Sequence, residues 1–379
     1  MTMKKRDNLI AVAFLAFILI LPTVTLIRGF LPNEENEITE EQNEILNANG
    51  TLQENTQETT SEENGQNIQN EIKQPFFTRL QNTLNDFTNG LYARTKLIAL
   101  NTELTSLLTG GSYIESTQVL LGKKDWLFYK SELDGHPIWD YMGINHFTEE
   151  ELALMAENLI QTRDYFVNER GMDFYITVLP NKEIIYEEYM PNTIARVNEV
   201  SRAEQFAQYI WKNTDLVCAY PKQALLDAKD KYQLYYKTDT HWNQIGAFVG
   251  VQELFKEAYG THAEIDSVSF RVDMENFSGD LSALAGISDK YSIDKVYVFE
   301  ADSADAAQYH DEVALIIGDS FGGFLSTVAK GYYKDVYWIN TKIDGFTMEM
   351  VDKYNPDVII WESVERYMET FLNDNLLEK

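Results

Sequence analysis

The stretch Val313-Ala-Leu-Ile-Ile-Gly-Asp-Ser-Phe-Gly-Gly323 decides the fold. Its first five residues are uniformly apolar, as a strand buried on both faces requires; a half-exposed strand would alternate. Gly318 then permits a tight turn, and Gly322 and Gly323 keep the next backbone turn unencumbered. Two runs of the same character follow, Val336-Tyr-Trp-Ile339 and Val358-Ile-Ile-Trp361, and Phe174-Tyr-Ile-Thr-Val-Leu179 precedes them, stopped by Pro180. Apolar strands separated by helices predict a three-layer α/β domain with a parallel sheet.

The helices are written between those strands. Thr148 and Glu151 form a capping box, Leu152, Met155, Leu159 and Phe166 form the apolar stripe behind it, and Gly171 closes the helix. Further helices are expected at 202–213, 221–229 and Asn243 to Tyr259, the last closed by Gly260, with a short strand at 215–219. Residues 262–310 read as a less regular insertion.

The chain has 379 residues and a formal charge of −29. Residues 33–72 hold eleven glutamates and no Lys or Arg, yet most of the negative excess lies beyond them. Coulomb repulsion therefore excludes nucleic acid and disfavours any polyanion, so a neutral or cationic substrate is expected. Residues 9–27, LIAVAFLAFILILPTVTLI, carry no charge and are long enough to cross a bilayer. A cleavable signal peptide competes with this, but no small-x-small cleavage site follows. Lys4, Lys5 and Arg6 precede the run, which places residues 33 onward outside the cytoplasm. The expected organisation is a cytoplasmic stub and membrane anchor at 1–32, an acidic disordered linker at 33–75, a helical stalk at 76–111 and a catalytic domain at 112–379. Asn49-Gly-Thr51 matches the glycosylation pattern. The single cysteine, Cys218, reads as a small buried hydrophobe in a strand.

In open parallel sheets the ligand crevice lies at the carboxyl ends of the strands. That rule selects Asn181 and Lys182, Ser320, Asn340 and Glu362. Ser320, on the turn between strand and helix, projects into the crevice beside free helix N-terminal N–H groups, or else merely caps that helix. A serine nucleophile needs a base. Of the five histidines, His136, His146, His262 and His310 lack a suitable setting, whereas His241 lies in Lys237-Thr-Asp-Thr-His-Trp-Asn243. On an extended loop Asp239 faces the same side, so it can hold Nδ1 and leave Nε2 for Ser320. A metal pair and a structural loop remain open for Asp239 and His241, although no third ligand is apparent and neither metal nor cofactor is expected. Tyr236 and Trp242, beside the pair, could stack on a sugar face.

Together these pieces resemble the SGNH-hydrolase-like proteins of polysaccharide O-acetylation, the alginate O-acetyltransferase group and the related DHHW family. The carrying motifs are Gly122-Lys-Lys-Asp-Trp-Leu-Phe-Tyr129, Pro180-Asn-Lys182 with Tyr186, Asp239-Thr-His-Trp242 and Gly318-Asp-Ser-Phe321. Thr240 departs from the DHHW pattern and is closer to the alginate-type version. The resemblance implies a flavodoxin-like sheet with a permuted motif order, Asp and His before Ser. It implies Ser320 as nucleophile, His241 as general base then acid, and Asp239 as its orienter. Asn181, Lys182, Trp242 and Tyr236 are the candidate substrate contacts. The implied activity moves an acetyl group onto a hydroxyl of an exopolysaccharide, here expected to be neutral, with a membrane-bound acyltransferase as donor. An acetylesterase of the same fold and a non-catalytic polysaccharide-binding scaffold are the alternatives.

Overall fold

The computed structural model describes residues 116–374 and 376–378. The expected anchor, acidic linker and stalk, and Asn49, lie outside the described residues. Among those described, no helix is long and apolar enough to cross a membrane.

Strands β1 (Val119–Leu121) and β2 (Leu127–Tyr129) form an antiparallel hairpin ahead of the sheet. Helix α1 (Glu149–Asp164) leads into β3 (Asp173–Leu179), and α2 (Arg202–Asn213) into β4 (Cys218–Ala219). Helices α3 (Lys222–Ala228) and α4 (Gln244–Tyr259) follow. Strands β5 (Phe270–Phe277) and β6 (Asp294–Phe299) make a second hairpin. Then come β7 (His310–Gly318), α5 (Phe321–Ala329), β8 (Tyr333–Asn340), α6 (Met348–Tyr354) and β9 (Val358–Val364). The main sheet has the order β4-β3-β9-β7-β8, and all its pairs are parallel.

Successive strand residues point to opposite faces, and both faces are covered. On β7, Ala314 and Ile316 join the core under α3, α4 and α5, while Leu315 and Ile317 join the core under α1, α2 and α6. On β9, Val358 and Ile360 divide from Ile359 and Trp361 in the same way. This is why the β7 and β9 runs are uniformly apolar; the edge strand β8 departs from it, with Tyr337 and Trp338 exposed, and the architecture is the expected three-layer α/β fold. Local caps set the helix starts: Thr148 and Glu151 complete their capping box, Ser201 caps α2, and Asn243 caps α4 through Ile245 and Gly246. Each such cap contributes about 1 kcal/mol.

The insertion corrects the reading of residues 262–310 as irregular. The β5–β6 hairpin frames a short helix, Asp280–Leu284, whose Leu281 and Ala285 pack on Val119, Leu127 and Tyr129 of the first hairpin. Period-two alternation is weak in β5 because most of that strand is exposed, so its strand pattern was hidden.

Candidate active site

Ser320 stands where β7 ends and α5 begins. Its side chain makes no capping bond, so the helix-cap alternative fails; Asp319 does that work, accepting from Phe321 N at 2.9 Å and from Val364 N at 2.8 Å. The N–H groups of Gly322 and Gly323 turn back to the carbonyls of Asp319 and Ser320. The N–H of Ser320 lies at this helix end, where a developing oxyanion would meet a donor.

The glycines of the turn are fitted to specific neighbours. A Cβ on Gly318 would strike the Glu362 carboxyl and its carbonyl oxygen, the latter at 2.7 Å. A Cβ on Gly322 would meet both Glu362 and the Trp338 indole, which donates to Asp319 O at 3.2 Å. Glu362, adjacent on β9, accepts from Asp319 N at 3.1 Å. Burial, reinforced by the nearby Asp319 charge, pushes its carboxyl well above the usual range.

The partner loop is built differently. The chain doubles back through a Tyr235–Trp242 bridge, with Tyr236 N donating to His241 O at 3.2 Å. The tip, residues 237–240, is held from outside. Asp294 on β6 accepts from Lys237 N at 2.9 Å, Thr238 N at 2.8 Å and Thr238 Oγ1 at 2.6 Å. Asp280 accepts from Thr240 N at 2.7 Å and Thr240 Oγ1 at 2.6 Å, and its own N–H reaches Asp239 Oδ2 at 2.9 Å. Gly279 lies so close to Asp239 that a Cβ there would meet its Cα and N at 2.7 Å.

These supports bring three side chains into line. His241 Nδ1 lies 2.6 Å from Asp239 Oδ1, and His241 Nε2 lies 2.7 Å from Ser320 Oγ. A carboxylate can only accept, so Nδ1 carries the proton and Nε2 accepts from the serine hydroxyl. Burial alone would lower the His241 pKa, but the hydrogen bond and charge of Asp239 outweigh it and the net shift is upward. Burial alone would raise Asp239; its bonds to His241 and to the Asp280 and His241 N–H groups hold it down at about 2. His241 and Ser320 are partly open to solvent, while Asp239 is buried. Phe321 and Phe324 line the imidazole, with ring centroids at 5.0 and 5.7 Å. A hydroxyl paired with a neutral imidazole, itself oriented by a carboxylate, is the equipment for nucleophilic acyl transfer.

A third possible ligand, the carboxylate of Asp280, which the sequence reading did not find, completes a group of possible metal ligands: Asp239, His241 and Asp280. Both carboxylates already accept hydrogen bonds on each oxygen, and the Nδ1 of His241 is bonded to Asp239.

The four expected substrate contacts are placed otherwise. Asn181, Lys182, Trp242 and Tyr236 are all buried. Asn181 Nδ2 donates to Asp140, itself paired with Arg202 at 2.6 Å. Lys182 Nζ is turned onto backbone carbonyls of residues 236, 237 and 239. Trp242 lies on α4 where Gly250 leaves room, and Tyr236 packs on Phe277 at 5.0 Å. None presents a free face to a sugar, because each is spent on holding the loop or the strand end. Sequence reasoning missed Asp280, Asp294, Phe324 and Arg366. The buried Arg366 guanidinium covers the Phe321 ring at 5.3 Å, and its charge opposes protonation of His241. Its place just after β9 was the available signal.

A family model described as the SGNH hydrolase-like domain of the acetyltransferase AlgX matches residues 119–329. The chain belongs to this family. That bears out the resemblance drawn from its four motifs and the SGNH-like α/β class. A protein of Pseudomonas syringae pv. tomato named "Probable alginate O-acetylase AlgJ" is 25% identical over 288 residues, covering 66% of this chain and 69% of that protein. Among solved structures, the O-acetyltransferase domain of Pseudomonas putida AlgJ aligns with a TM-score of 0.47 at 20% identity, over 69% of this chain and 94% of that one. A DHHW family protein from Eubacterium siraeum aligns with a TM-score of 0.46 at 13% identity, over 68% and 96%.

Proposed function

We propose that this protein is an O-acetyltransferase that moves acetyl groups onto hydroxyls of an exopolysaccharide through an acetyl-serine intermediate. The observation that carries the reading is the Asp239–His241–Ser320 relay, with links of 2.6 and 2.7 Å. Ser320 Oγ attacks the acetyl carbonyl carbon while His241 Nε2 takes its proton. The bond from that carbon to the donor oxygen then breaks, and His241 returns the proton to the leaving oxygen. A sugar hydroxyl reverses the sequence: it gives its proton to His241, attacks the acetyl carbon and releases Ser320. Asp239 stabilises the imidazolium in both halves.

The polymer is a proposal of its own. The relatives' names point to alginate, whereas the charge of −29 favours a neutral acceptor. The proposal also includes the expected organisation of the chain: an N-terminal anchor in the cell membrane, the catalytic domain outside the cytoplasm, and a membrane-bound acyltransferase as the acetyl source.

The test uses p-nitrophenyl acetate as donor with oligosaccharide acceptors, neutral and uronate in parallel, and follows acetylated sugar by mass spectrometry. Acetyl-sugar should form, and the Ser320 peptide should carry an acetyl group after rapid quenching. Acetate release without acetyl-sugar on any acceptor would make the protein an esterase. Full turnover by Ser320→Ala would sink the serine mechanism.

A further inference from the structure

Lys182 is the first residue after the β3 turn, and only 2% of it is exposed. Its Nζ reaches the carbonyl oxygens of Tyr236 at 3.1 Å, Lys237 at 3.4 Å and Asp239 at 2.6 Å. An ammonium has three donors and no acceptor, so these three carbonyls match its whole capacity. The rings of Trp126 and Phe128 flank the same Nζ, with centroids at 5.9 and 5.4 Å. Both rings belong to the Gly122–Tyr129 motif, for which the acyl-transfer chemistry has no other use. The β1–β2 hairpin is itself tied to the loop, since Leu127 N donates to Lys237 O at 2.9 Å.

Three separated sequence blocks thus meet at one charge. We propose that Lys182 is a positioning residue: its buried ammonium, held between Trp126 and Phe128, clamps the loop that aims Asp239 and His241 at Ser320. The inference rests on the serine mechanism proposed above. Its physical basis is that all three acceptors are loop carbonyls, one just before the tip, one at its first residue and one belonging to Asp239 itself. A surface lysine would be hydrated and mobile; this one has exchanged water for the loop backbone.

The same burial makes the clamp sensitive to pH. Desolvation lowers the Lys182 pKa to about 8, although Glu183 on its own helix and Asp239, Asp280 and Asp294 on the packed elements all favour the charged form. Above that pH a neutral amine has one donor fewer for three carbonyls, and the grip loosens.

The test compares wild type, Lys182→Met, Lys182→Ala and Ser320→Ala. Lys182→Met keeps the apolar stem and removes the donors. It should lose about 100-fold in kcat, the scale of a 1 Å misplacement, with KM within about threefold. The alkaline limb of the wild-type rate, centred near pH 8, should vanish in this variant. Propylamine should restore about tenfold to Lys182→Ala by refilling the site with an ammonium. Independently of turnover, the low-field proton resonance of His241 Nδ1–H should shift or broaden in Lys182→Met, and in wild type above pH 8. An unchanged resonance in the variant, or wild type holding it unaltered from pH 7 to about 10, would overturn the clamp. The wild-type titration keeps the proposal exposed to failure even where a variant does not fold. Activity retained by Ser320→Ala would instead break the serine mechanism, so the two failures are told apart.

Discussion

The two halves of the site are made in opposite ways. The serine half is a product of β7 and its neighbours in the sheet: an apolar central strand, a glycine turn and a helix start put Ser320 at the carboxyl end of the sheet, with contacts from the adjoining strands β8 and β9. The histidine half has no regular structure at its tip and is held by Asp280, Asp294, Gly279 and Lys182, which come from three other segments. A nucleophile can be positioned by one strand; a base and its orienter at hydrogen-bond distance need a scaffold that converges from several directions. Damage to the serine half should therefore travel with stability. Damage to the histidine half should separate activity from stability.

The largest effect is expected where the halves touch. Ser320→Ala and His241→Ala should each cost on the order of 10³-fold or more in kcat, and the double variant no more than the worse single one, because the pair acts as a unit. Additive losses would show that the 2.7 Å contact between them is not the working one.

Alanine at the two fitted glycines distinguishes the halves directly. In Gly318→Ala the new Cβ meets the backbone of a central strand that cannot yield, so about 1–3 kcal/mol of stability and the activity should fall together. In Gly279→Ala the Cβ presses on Asp239 from a peripheral hairpin. Rate should fall by about 100-fold while the melting temperature changes little. Melting curves beside kcat for both variants check this; equal behaviour would erase the distinction.

Proton chemistry sharpens it further. His241 must be neutral to act as base, and Asp239 holds its pKa above the ordinary value. The acid limb of kcat/KM should accordingly lie above about 6.5, with activity rising as pH rises through it. Asp280→Asn removes a carboxylate whose charge also favours the imidazolium, so the limb should move to lower pH with about a tenfold change in rate or less. A limb that stays put would mean Asp280 acts only by bonding Thr240.

How much of this was legible follows the same division. The strands of the main sheet, the helix starts near Thr148, Ser201 and Asn243 and the strand-end serine were readable because period and caps are written within a few residues. The Asp239–His241 pairing was readable because its members lie two positions apart. What encloses the loop was not. Asp294 lies more than fifty residues from Thr238, in an exposed hairpin whose pattern resembles a loop. Lys182 was read as facing the crevice from its strand-end position, and Trp242 as a sugar contact from its place beside His241; neither position reveals which way a side chain turns, whereas burial does, and burial depends on the rest of the fold.

The smallest expected effect comes from the serine half and runs against intuition. Glu362 lies under the turn that carries Ser320, buried, and replacing a buried acid would ordinarily be ranked as severe. Burial favours the protonated form of its carboxyl, so Glu362→Gln supplies a neutral group of similar shape and leaves an oxygen to accept from Asp319 N. Activity should stay within about threefold and stability within about 1 kcal/mol at pH 6. The sign of the pH effect is fixed by linkage. An acid whose folded pKa is raised binds more protons when folded, so its contribution is complete below the unfolded pKa and is lost as pH rises toward the folded one. Wild type should therefore lose stability as pH rises above the ordinary glutamate range by a term that Glu362→Gln lacks, and the variant should gain on wild type toward the alkaline end. Melting temperatures across that rise decide it: a variant that weakens relative to wild type as pH rises would mean Glu362 is ionised beneath Ser320.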